Sequence, residues 1–104
     1  MTIKTTHAEL AALKARYLEV ASALFSARSI SKDDLQSASW CLQTLQTALD
    51  ENFMYSFGWE STRKAMQAHR GNLPGMKNKR IAKLIGDLMD DVTEWTDARE
   101  AAVK

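Results

Sequence analysis

The stretch SKDDLQSASWCLQTLQTAL, residues 31–49, decides how the rest of the chain is read. It opens as Ser-x-x-Asp: the Ser31 hydroxyl can accept from a free first-turn amide, and Asp33 and Asp34 sit where a helix dipole favours negative charge. Ile30, just before the cap, can staple onto Leu35. Leu35, Ala38, Leu42, Leu45 and Leu49 then recur at three and four residues, and Phe53 continues the series. That spacing lays one apolar stripe along a helix, and such a stripe must be buried against a neighbour.

Toward the N-terminus the same pattern returns. Thr6-x-x-Glu9 reads as a capping box, and Leu10, Leu13, Tyr17, Val20 and Leu24 follow with Lys14, Arg16 and Glu19 off the stripe. Ala8, Ala11, Ala12, Ala15, Ala21 and Ala23 raise helix propensity and allow close approach of a neighbour. The reading is a helix from Thr6 to Ala27 or Arg28, followed by a turn so short that the next helix is its antiparallel partner.

Toward the C-terminus, Phe53, Tyr55, Phe57 and Trp59 alternate as a strand would, but no partner strand is evident elsewhere. Tyr55, Trp59, Thr62, Met66 and His69 also repeat at helical spacing. Gly58 then marks a bend, and a short helix runs from about Glu60 to His69 or Arg70. Gly71 is expected as a left-handed cap, opening a loop through Gly75. A last helix starts between Met76 and Asn78 and carries Ile81, Ile85, Leu88, Val92 and Trp95, widened by Leu84, Met89 and Ala98. Gly86 is a mild cost within it.

The expected fold is all-α: a compact antiparallel bundle of three long helices plus one short helix. It forms a single helical domain over residues 1–104, with residues 1–5 and about 100–104 frayed. Each stripe lasts only about two heptads, too short to insist on a coiled coil. A homodimer completed by exposed stripe residues is the alternative assembly.

Composition agrees. Four Gly and one Pro in 104 residues suit helices better than a turn-rich sheet, and 45% apolar with 26% charged residues is globular composition. No apolar run reaches the roughly 18 residues of a membrane span, and no secretory signal is visible at Met1 to Thr6. The single cysteine, Cys41, excludes an intrachain disulfide and a cysteine-based zinc site. It fits a reducing compartment, so a cytoplasmic location is expected.

A formal net charge of +1 conceals segregation. Between Glu60 and Lys83 seven basic residues face one acid, a local charge of +6; between Asp87 and Glu100 six acids face Arg99, a local charge of −5. The last helix thus begins basic and ends acidic, against its dipole. Lys64, Arg70, Lys77, Lys79, Arg80 and Lys83 are candidate phosphate or nucleic-acid contacts, the later ones at a helix start whose amides face outward. The bland reading is a solvated cationic face. Asp87, Asp91 and Glu94 can converge on one side of the helix as an acidic interaction face, or remain solvated.

Catalytic patterns are missing. Metal-dependent hydrolysis of the kind performed by the all-helical nucleotide pyrophosphatases needs Glu-Glu-x-x-Glu answered by Glu-x-x-Asp, and only Asp50-Glu51 is available as a second cluster. Nothing links His7 to His69, and Cys41 reads as a buried structural thiol. No enzyme activity, metal or cofactor is expected, and a metal-dependent nucleotide hydrolase is a remote alternative. The leading expectation is a non-enzymatic regulatory module that binds another protein through a helical surface. Tyr55, Trp59, Arg63 and Met66 are its candidate interface, with Trp59 and Met66 partly exposed. The alternative is a weakly sequence-specific nucleic-acid binder using residues 63–83.

Overall fold

The computed structural model describes residues 3–27, 30–49 and 59–103, with side chains over 8–27, 30–49 and 60–98. Among these residues every regular element is helical: α1 (Ile3–Phe25), α2 (Lys32–Ala48), α3 (Trp59–Arg70), a 3₁₀ turn at Leu73–Gly75, and α4 (Lys79–Val103).

In α1 the expected stripe is the core face, with Leu10, Leu13, Val20 and Leu24 buried and Tyr17 packed beside them. The start differs from expectation: the helix begins at Ile3, so Thr6 lies inside it and does not cap it. At the other end the Ser26 amide donates to Ser22 O and the Ala27 amide to Leu24 O, closing the last turn near where the sequence placed it.

Ser31 caps α2 as its sequence predicts, its hydroxyl accepting from the Asp34 amide at 3.1 Å. Ala38, Leu42, Leu45 and Leu49 are buried together with Cys41 and Ala48. Leu35 departs from the stripe and is 39% exposed, because the inward position of that first turn belongs to Asp34. The expected continuation to Phe53 lies outside the described residues.

Gly71 is not left-handed. Its amide donates to Gln67 O at 3.1 Å, Asn72 N donates to His69 O, and the chain passes into the 3₁₀ turn that buries Leu73. Asn78 then caps α4, its Oδ1 accepting from the Ile81 amide at 3.1 Å.

Side-chain contacts fix the directions. Glu9 meets Trp95 and Arg16 meets Asp91, so α1 runs antiparallel to α4; Arg63 meets Asp97 and Arg70 meets Asp90, so α3 does too. The starts of α2 and α4 lie together at Asp34. The result is an all-α four-helix bundle of about 43 × 24 × 18 Å. Its densest core joins Leu24, Leu45, Met66, Met76, Ile85, Leu88, Met89 and Val92, each at most 1% exposed. Every such side chain contributes about 1.5–3 kcal/mol of burial.

Met66 is the main correction to the core. Expected at a surface, it is 1% exposed, and its sulfur accepts from the Thr93 hydroxyl at 3.1 Å. The short helix α3 is needed to close the core between α2 and α4. It is the outer side of α1 that stays uncovered.

Candidate protein interface

The basic and acidic segments are brought against each other by the antiparallel packing of α3 on the second half of α4. Arg63 pairs with Asp97 at 3.2 Å, and Arg70 Nε and Nη2 donate to both oxygens of Asp90 at 2.7 and 2.8 Å. From α1, Arg16 Nη1 donates to Asp91 at 2.6 Å. Within helices, Lys83 pairs with Asp87 and Lys64 with Glu60. The expected acidic face is therefore divided. Asp87 and Asp91 are taken by different bases, and Glu94 lines a cleft of about 360 Å³ with Arg70, Asp90 and Asp97. Likewise Lys64, Arg70 and Lys83 of the candidate phosphate set are paired, while Lys77, Lys79 and Arg80 are exposed.

Of the amides around the helix start that carries those three cations, those of Lys77, Asn78 and Ile81 are already taken by side chains of the protein itself. Asp34, 4% exposed, accepts from the Lys77 amide at 3.0 Å and the Asn78 amide at 2.9 Å. These two bonds hold its carboxyl below the ordinary value of 3.8 against the opposing effect of burial. The protein's own carboxylate thus fills the anion position, and Lys79 Nζ donates to Pro74 O at 2.7 Å.

Reactive groups are quiet. Cys41 is buried, its thiol pushed up to about 11 by desolvation against the pull of Arg70, and its Sγ donates to His69 O at 3.4 Å. A thiol held protonated at neutral pH is a poor nucleophile. The His69 ring lies 5.8 Å from the Trp40 ring at a tilt of 41°. Among the described residues no group of three or more His, Cys, Asp or Glu side chains could hold a metal ion. No described helix is long and apolar enough to cross a membrane.

The predicted interface residues are described only in part. Tyr55 and the Trp59 side chain lie outside the described residues, Arg63 is engaged by Asp97, and Met66 is core. A different apolar surface emerges on α1. Phe25 is 77% exposed and Leu18 66%, the two most exposed large hydrophobic residues described. They continue a series of exposed positions, Ala8, Ala11, Ala15, Leu18, Ser22 and Phe25, which repeats at three and four residues on the side away from the buried stripe. The signal was present in the sequence as a second alternation interleaved with the first. Its small members hid it.

No protein-family model matches the chain, and no similar curated protein or solved structure was found.

Proposed function

We propose that this chain is a non-enzymatic protein-binding module whose contact surface is the outer face of α1. The observation that carries the reading is the pair Leu18 and Phe25, left open on one face while Arg16, Arg63 and Arg70 are paired with acids of α4. Exposed large apolar side chains in line are characteristic of contact surfaces, and aromatic anchors tend to supply much of their affinity. The nucleic-acid reading rests on the exposed Lys77, Lys79 and Arg80, with Lys64 and Lys83 exposed but each beside an acid of its own helix. Three cations beside an already filled anion position make a weak phosphate site.

Affinity capture from the native cell, with and without nuclease, tests the choice. The expected result is protein recovered equally in both arms and lost with Phe25→Glu, while Lys79→Glu/Arg80→Glu recovers it unchanged. Nuclease-sensitive recovery that depends on Lys79 and Arg80 would reverse the assignment.

A further inference from the structure

We infer that the outer face of α1 pairs with the same face of a second copy of this chain, the two helices antiparallel. The inference rests on the protein-binding reading above and names its partner. Its basis is that the exposed series is complementary to itself. The N-terminal half of the series is small, Ala8, Ala11 and Ala15, and the C-terminal half carries the bulk, Leu18 and Phe25. Turning one helix end for end places Phe25 over Ala8 of the second copy, Ser22 over Ala11, and Leu18 over Ala15. Every bulky side chain then meets a small one, and each contact occurs twice, as a two-fold interface requires. A parallel pair would instead set Phe25 on Phe25 at one end and alanine on alanine at the other, splaying the helices.

Charge permits the same arrangement. No charged residue belongs to the series between Ala8 and Phe25. Of the residues flanking it, Glu19 falls opposite Ala12 of the second copy and Lys14 opposite Ala21, so alanine faces charge on both sides. Glu9 and Arg16 lie off this face and are turned onto Trp95 and Asp91 of α4. The paired segment is about 26 Å long at 1.5 Å per residue. A face of that length and about 10 Å wide covers less than the roughly 1,000 Å² of a stable specific interface, so the dimer is weak and concentration-dependent.

Sedimentation equilibrium of the purified chain from about 10 micromolar to about 1 millimolar reads the association directly. The expected mass rises from 11.7 kDa toward twice that value, and Leu18→Glu or Phe25→Glu holds it at the monomer with an unchanged helical spectrum. Orientation is read by oxidative cross-linking. Ala11→Cys mixed with Ser22→Cys should give a disulfide-linked pair, whereas neither variant alone should. Cross-linking of Ser22→Cys to itself would overturn the antiparallel arrangement. A monomer throughout the concentration range would overturn the second copy as partner. If Phe25→Glu still abolishes protein capture in that case, the binding reading stands and the occupant is another protein; if capture is also unaffected, both fall.

Discussion

Asp34 is the residue that joins the starts of α2 and α4. It sits in the first turn of α2, is held by the Ser31 cap, and grips the amides of Lys77 and Asn78 at the entrance to α4. The sequence made its helix-start role legible, since Ser31, Asp33 and Asp34 are capping chemistry. Its tertiary role was not legible. Periodicity assigned the inward position to Leu35, and no local rule shows a carboxylate reaching backbone amides more than forty residues away. A depressed carboxyl has a definite pH consequence. The stabilisation is fully present above the ordinary value of 3.8 and is lost as pH falls through the lower value of the folded state. Asp34→Asn should therefore be less stable than the parent at neutral pH, with the difference shrinking in acid. Denaturant midpoints measured from neutral pH to about pH 2 check this. A difference of the same size at both ends would mean that the ionised carboxylate is not its source.

At the scale of elements, the helical stripes predict burial well wherever one face has one neighbour. Leu10 to Leu24 in α1 and Ala38 to Leu49 in α2 are buried as read. The failures arise where an element's share of the core depends on its neighbours. Met66, expected partly exposed at an interface, is core because α3 is what covers the space between α2 and α4. Leu18 and Phe25 stand open for the complementary reason: α1 carries two interleaved series, and only packing decides which one is inside. Gly86 in α4 tests how tightly these elements meet. It is buried, but a methyl group added there would lie 3.5 Å from Leu73 Cδ1 and 3.6 Å from Arg70 Nη2, both ordinary contacts. Gly86→Ala should then raise stability by about 0.5–1 kcal/mol through helix propensity alone. Urea denaturation measures it, and a loss would mean that α4 packs against Leu73 and Arg70 without room for one carbon.

Across the whole molecule, the charge segregation that looked like a pair of binding patches acts inside the fold. The sequence showed its magnitude, but it could not show that α3 would lay its bases along the acids of α4. Arg63 to Asp97 and Arg70 to Asp90 follow the antiparallel register of the two helices, and Arg16 to Asp91 ties α1 to the same acidic stretch. These groups are all partly solvated, so each pair contributes only about 0.2–1 kcal/mol, less at high salt. Because each pair joins fixed positions on two helices, the pairs also favour this register over its neighbours. Exchanging the charges of the bidentate pair separates this role from that of an interaction surface. Arg70→Glu alone places four carboxylates around the cleft, the new one beside Asp90, Glu94 and Asp97, and Asp90→Arg alone sets two guanidinium groups together. Each single variant should lose stability, and the double exchange Arg70→Glu/Asp90→Arg should recover part of it, with a coupling of about 0.5–1 kcal/mol that shrinks as salt rises. Denaturant titrations of the four proteins at low and high salt give that coupling. If the single losses simply add, the pair does not set the register of α3 on α4, and the segregated charges need another explanation.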